Sequence, residues 1–217
     1  MTFKELQDEC IRTRFKEGQR TSIRSWINLR YHVLWGLADW PWKRVGPADF
    51  AITAADTTPT MPSDFDRPLL MYDDQGEQVQ WLEPDEFDAT YLARELQGQS
   101  GKPSGFKWVA GTITIGPIPD SNYTYKLVYE RGMSYLASGG AETTGSLTAD
   151  NDQPIWDTQY HYVLVPGAIA TGLRLENDPT YEQMEEEFQT IIQSMRDHYL
   201  PVVATYGNQQ FGRDTGF

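Results

Sequence analysis

At the amino end, apolar side chains recur every third or fourth residue. Phe3, Leu6, Cys10, Ile11 and Phe15 predict a helix over about 2–16, with Thr2 and Glu5 in the S/T-x-x-E pattern that caps a helix start. Gly18 is expected to break it, and Thr21 or Ser22 to cap a second amphipathic run through Ile23, Trp26, Ile27, Arg30, Leu34 and Leu37. Trp40-Pro41-Trp42 should end that run, because proline removes a helix donor and restricts the residue before it. Residues 1–44 therefore read as a helical hairpin.

From about 45 to 136 the period shortens to two, and β-branched and aromatic residues lie between Gly and Pro punctuation. Trp108 to Val109, Thr112 to Ile115 and Tyr123 to Tyr129 read as strands of one antiparallel sheet, with a tight turn at Ala110-Gly111 and a second through Pro117, Pro119, Asp120 and Asn122. A short helix is expected from Pro84 to Leu96, with Asp85 and Glu86 toward its positive end. Residues 137–153, ASGGAETTGSLTADNDQ, offer little to anchor a core and read as a mobile loop, either disordered or ordered by a partner.

Beyond the loop the helical period returns over 154–200. Tyr160, Val163, Leu164, Ile169 and Leu173 suggest a helix disturbed at Pro166-Gly167; Tyr181, Met184, Phe188, Ile191, Ile192, Met195 and Tyr199 give a cleaner one. Glu185-Glu186-Glu187 reads as its solvated face. Residues 201–217 carry aromatics and glycines without a helical period, as an arm that buries its rings against something else. The fold class is α+β: a helical bundle body made of the hairpin and the carboxy-terminal helices, an inserted small antiparallel β-domain, and an extended carboxy-terminal arm.

Charge adds a second layer. The 217 residues carry 18 Lys+Arg and 31 Asp+Glu, a formal net charge of -13, with 39% hydrophobic residues and seven tryptophans. Such a chain can bury a core, and its acidity argues against broad coating of DNA or of acidic membranes. Residues 1–44 hold nine bases and five acids, and the remainder nine and 26. That split fits a contact between unlike ends of neighbouring copies, a field over one surface, or simply a solvated mixed-charge helix. No stretch reaches the roughly 18 apolar residues of a membrane span, and no signal-peptide pattern opens the sequence, so a soluble protein made in the cytoplasm is expected.

Catalytic signatures are missing. The lone Cys10 supports neither a disulfide nor a redox pair, and His32, His161 and His198 lie far apart, outside any zinc-hydrolase spacing. Gly98-Gln99-Ser100-Gly101-Lys102-Pro103 has the wrong glycine spacing for a phosphate loop, and no serine sits in a nucleophile elbow. Asp150-Asn151-Asp152 lacks the spacing of a calcium loop. Asp64, Asp66, Asp73, Asp74, Asp85, Glu86 and Asp88 include no evident glycosidase pair, and Trp40, Trp42, Trp81 and Trp108 are more readily core than sugar platforms. No enzyme activity, cofactor or metal is expected.

One resemblance carries more. The ordered series Met61-Pro62-Ser63-Asp64-Phe65, the extended Pro68 to Tyr72, Trp81-Leu82-Glu83-Pro84-Asp85-Glu86-Phe87, Gly111-Thr112-Ile113-Thr114-Ile115-Gly116-Pro117 and Pro119 to Leu127 resembles the head-to-tail adaptors of tailed bacteriophages, the connector or tail tubular A-like proteins. The Gly/Ser/Thr/Asp loop, Pro154-Ile155-Trp156, the small residues Gly167-Ala168-Ile169-Ala170 and the glutamate-rich last helix continue it, over about 1–200.

The resemblance implies a virion protein of the neck: a homo-oligomeric ring of twelve copies beneath the portal protein, offering a platform to a tail nozzle or tail tube protein. Genomic DNA would pass through without specific binding, and no membrane would be involved. By position, the helices would build the ring body, residues 45–136 would face the tail, and Tyr206, Phe211, Arg213 and Phe217 of the arm would dock on the portal. An acidic wall would keep DNA from sticking, although the same acidity also keeps an unassembled monomer soluble. The competing readings are a carbohydrate-binding or carbohydrate-cleaving tail protein and another neck or tail-completion ring protein.

Overall fold

The computed structural model describes residues 1–200. Helix α1 (Phe3–Thr13) begins on the expected capping box: Glu5 N–H donates to Thr2 Oγ1 at 3.2 Å, and Thr2 N–H donates to Glu5 Oε2 at 2.7 Å. Helix α2 (Arg20–Gly36) starts earlier than Thr21 or Ser22 would place it, because a 3₁₀ turn at Glu17–Gln19 runs straight into it. That turn is closed by Gln19 Oε1, which accepts the Lys16 N–H at 3.0 Å, so neither hydroxyl caps the helix. A further 3₁₀ turn, Pro41–Lys43, then leads into the strands.

In chain order the strands and remaining helices are β1 (Arg44–Ile52), β2 (Phe65–Tyr72), β3 (Gln80–Trp81), α3 (Pro84–Leu96), β4 (Ser100–Gly101), β5 (Gly105–Val109), β6 (Thr112–Gly116), β7 (Ile118–Pro119), β8 (Tyr123–Arg131), β9 (Ser134–Leu136), β10 (Glu142–Thr144), β11 (Gln153–Pro154), α4 (Leu164–Leu175) and α5 (Tyr181–Tyr199). The three strands expected in one sheet separate into two. β8 is the centre of an antiparallel β1-β8-β2 sheet, whereas β5 and β6 pair with each other, with β3 parallel at the edge.

The turn into β8 does not return the chain beside β6, because β7 pairs with β4 instead. Both sheets nevertheless bury their inner rows in one cluster, with Phe50, Ile52, Met71, Phe106, Ile113, Ile115, Tyr125 and Leu127 at its heart. The alternation of β8 holds through Leu127, with Tyr125 and Leu127 buried and Thr124 and Lys126 exposed, and lapses beyond it, where Val128, expected on the outer face, is buried together with Tyr129 and Glu130. Ala110 and Gly111 both adopt positive φ, 50° and 81°, as the tight hairpin requires. Gly46 bulges β1 against β8: its φ is 103° and a Cβ there would lie 2.4 Å from Leu127 O.

The second cluster belongs to α1, α2, α4 and α5 and takes in Tyr135, Leu147 and Trp156 from the intervening chain. α4 is its centre, with Leu164 to Ala170, Gly172 and Leu173 all buried. Pro166 does not disturb it, because proline in a first helical turn lacks only an N–H that had no intrahelical partner. The helix is short of side chains where its neighbours come closest. A Cβ on Gly167 would meet Phe188 of α5 at 2.8 Å and Arg30 of α2 at 3.0 Å; one on Gly172 would meet Phe15 at 2.5 Å and Trp26 at 2.6 Å.

His161 sits in the 3₁₀ turn (Thr158–Val163) before α4, 1% exposed, its Nε2–H donating to Trp156 O at 2.8 Å and its Nδ1 facing the Met1 backbone. Burial holds its pKa below the ordinary histidine value.

Two outcomes follow. Gly167→Leu should destabilise the chain by about 1–3 kcal/mol in urea unfolding, through overpacking of Phe188 and Arg30, while Gly36→Ala, with open space around its Cβ, should be neutral or slightly stabilising. For His161, a depressed native pKa means that the unfolded chain binds the proton first as pH falls below about 6.5. Stability measured by urea midpoint should therefore be flat above pH 7 and decline toward pH 5, while most carboxylates are still ionised. His161→Gln should flatten that decline.

Candidate interaction surfaces

The hairpin turn that reads Trp-Pro-Trp in sequence is an anchor between the helices and the strands. Trp40 is 1% exposed, and its indole N–H donates to Leu34 O at 2.7 Å, closing the end of α2. Its ring stacks on Trp42 at 4.8 Å, Trp42 lies 5.5 Å from Trp156 and 4.9 Å from Tyr199, and Trp156 stacks on Tyr31 at 4.9 Å. The end of α5 is thus packed against this cluster. Beside it, Arg67 of β2 donates two hydrogen bonds to Glu130 of β8, at 2.8 and 2.9 Å, and approaches Asp39 at 3.4 Å.

Residues 137–153 do not stand apart from the fold. β10 and β11 flank β9, and Leu147 is buried among the helices at 1% exposure. Asn28 of α2 clamps Leu147 in both directions, donating to its carbonyl at 2.9 Å and accepting its N–H at 3.0 Å, and Arg24 donates to Thr148 O. The buried Asp152 carboxylate accepts the Thr148 and Ala149 N–H groups at 2.7 and 2.6 Å. The carbonyls of Asp150 and Asp152 then accept the first free N–H groups of α1, those of Lys4 and Phe3, at 2.9 and 2.6 Å. The composition reading missed this because the anchoring is polar, and polar anchoring leaves no hydrophobic period.

Of the four tryptophans weighed as platforms, Trp40 and Trp42 belong to the junction, whereas Trp81 is 53% exposed. With Trp108, Phe106, Arg67, Leu69 and Gln78 it lines an open groove of about 430 Å³ between the edges of the two sheets. No motif marks that groove, and the sequence reading of Trp81 as more readily core is corrected by its exposure on the groove wall.

The carboxylates fall into structural roles. Asp64 accepts the Tyr129 hydroxyl at 2.8 Å and lines a polar cleft with Glu142, Thr143 and Thr144, whereas Glu86 lies in the first turn of α3. Asp73 and Asp74 share Lys102, and Asp88 accepts from Lys107 at 2.5 Å. Within the glutamate triple, Glu185 is not part of a free solvated face: Arg30 donates to both its oxygens at 2.6 and 3.1 Å. Burial would raise the Glu185 pKa, but hydrogen bonds from Arg30 and Gln189 leave it below the usual range. Burial also pushes the Cys10 thiol up to about 12, far from a thiolate at neutral pH. Tyr206, Phe211, Arg213 and Phe217 lie outside the described residues.

Among the described residues, many of these charged side chains are held on one another, and the surface carries a polar cleft beside Asp64 and a groove beside Trp81. Residues 1–206 match the family model described as SU10 adaptor protein. The chain belongs to that family. It is a phage head-to-tail adaptor and a structural protein of the virion. No curated protein matches the chain. Among the described residues of the adaptor, no helix is long and apolar enough to cross a membrane.

The polar clamp on residues 146–152 gives a direct check. Asp152→Ala leaves two backbone donors without their buried acceptor and should cost about 1–3 kcal/mol. Limited proteolysis should then cut within 137–153 well before the wild-type chain is touched; equal protection of both would remove the anchoring role.

Proposed function

We propose that the adaptor works as a closed ring, of twelve copies, under the portal of the filled head, joining it to the tail nozzle or tube and leaving a channel for DNA. The observation that carries this reading is the family match over 1–206, together with helices on both sides of the strand-rich segment sharing one core. In this reading residues 1–44 and 154–200 form the ring body, and residues 45–136 form a β-domain that meets the tail component. The Trp81 and Trp108 groove is the apolar part of that tail-facing surface. The channel wall works through charge: with 31 acids against 18 bases the adaptor neutralises few phosphates, so the duplex slides.

The arm, residues 201–217, docks on the portal through Tyr206, Phe211, Arg213 and Phe217. Tyr199, the last residue of α5 and two positions before the arm, packs on Trp42. The role is structural throughout, with no reaction step.

Removing residues 202–217 should leave the unfolding midpoint of the adaptor unchanged and abolish its retention on portal rings. Negative-stain images of portal mixed with wild-type adaptor should show an added ring, and images with the truncated chain a bare portal. Equal retention of both chains would refute the docking arm, and absence of an added ring with the wild type would refute the adaptor assembly itself.

A further inference from the structure

Three indole N–H groups, those of Trp42 and Trp156 in the ring cluster and of Trp108 in the groove, are buried without an acceptor among the described residues. A buried donor left unpaired is costly, so each marks a place where further chain bearing carbonyl or amide oxygens is stabilising. Trp42 packs on Tyr199 at the end of α5, with Trp156 5.5 Å beyond it. Trp108 shares the groove wall with Trp81, whose ring is 53% exposed.

A short path joins the ring cluster to the groove. Trp42 stands two residues before Arg44; Arg44 pairs with Glu130, and Glu130 with Arg67, whose side chain walls the groove and reaches back to Asp39 at 3.4 Å. Neighbouring strands lie about 4.8 Å apart, so the path from Trp42 to the groove is on the order of 20 Å. The 17 residues that follow Leu200 reach about 56 Å when extended, with Tyr206 and Phe211 about 20 and 36 Å along them.

Their chemistry suits the groove. Its walls are aromatic and apolar apart from Gln78 and Arg67, and Arg67 is already held by Glu130. Residues 201–217 carry one base, Arg213, and one acid, Asp214, together with Tyr206, Phe211 and Phe217 and the neutral acceptors Asn208, Gln209 and Gln210. A segment without net charge seats its rings there with no charge to desolvate, and its oxygens are acceptors for the indole donors. At about 430 Å³ the groove has the size of a small-ligand site, enough for aromatic side chains.

We infer that in the free adaptor the arm turns back on its own chain and seats Tyr206 and Phe211 in the Trp81 and Trp108 groove, and that the portal, by taking the same arm, opens the groove to the tail component. This rests on the portal-docking reading of the arm and adds an order of assembly: the tail-facing surface is covered until the adaptor is in place.

The test puts a photo-cross-linker into the full chain as Phe211→benzoylphenylalanine. Irradiation of dilute adaptor should give cross-links within one chain, to residues 67–69, 78–81 or 106–108, and the same variant seated on portal rings should lose them and cross-link to portal instead. In parallel, a fluorescent peptide of residues 202–217 should bind the chain truncated after Pro201 and not the full chain, whose groove is filled. Leu69→Glu in the truncated chain should weaken that binding on the order of tenfold, with the unfolding midpoint unchanged because Leu69 is exposed.

Cross-links elsewhere on the chain, or peptide binding indifferent to Leu69→Glu, would overturn the seat in the groove. Cross-links between chains that grow with concentration would mean that copies exchange arms, and would overturn the contact of the arm with its own chain. Groove cross-links that persist on portal-bound rings would overturn the opening step. Portal retention that survives truncation while Phe211 still cross-links to the groove would refute the docking reading and the opening step together, and would leave the folded-back arm standing.

Discussion

The helices meet because α4 lacks side chains where they cross. Gly167 leaves room for Phe188 and the stem of Arg30, and Gly172 leaves room for Phe15 and Trp26, so α1, α2 and α5 all close on one buried helix. Dispersion gained at such short range falls away steeply with small gaps, which makes this approach the condition for the rest of the core. Arg30 depends on it directly. Its guanidinium lies 4.9 Å over the Phe188 ring, donates to Thr171 at 2.7 Å and grips Glu185, so one side chain joins α2, α4 and α5.

From that core the order passes outward through polar contacts. α2 positions Asn28 and Arg24; these hold residues 147 and 148; Asp152 shapes the turn that follows; and its neighbouring carbonyls receive the first N–H groups of α1. The amino-terminal helix is thus capped twice, by its own Thr2 and by chain that lies more than a hundred residues away. At the other end the tryptophan cluster does the equivalent work with rings, joining α2, α5 and the start of the strands.

Local signals were legible where one physical cause dominated. The capping box at Thr2, the helix at Pro84–Leu96, the Ala110-Gly111 turn and the alternation over the first half of β8 could all be read from a few adjacent residues. Pairing between distant segments could not. β1 was missed as a named strand because Gly46-Pro47 and its bulge blur the alternation, and β8 was put beside β6 because nothing local records that β1 and β2 flank it. Residues 137–153 were misjudged because hydrogen bonds to Asn28 and Arg24 have no periodicity to detect. Of the surfaces, Trp81 and Trp108 were visible as residue types, but their meeting in one groove depends on which sheet edges adjoin. The arm's aromatic residues were legible only as composition.

The pairing of β1 with β8 sets Arg44 opposite Glu130, so the chain enters and leaves the strand-rich insert at one place. An insert joined this way acts as an exchangeable cassette. Its strands, groove and α3 can diverge, lengthen or be replaced in evolution while the two ends stay a hydrogen bond apart and the helices keep their partners. The surface of the insert can therefore change without renegotiating the packing around α4.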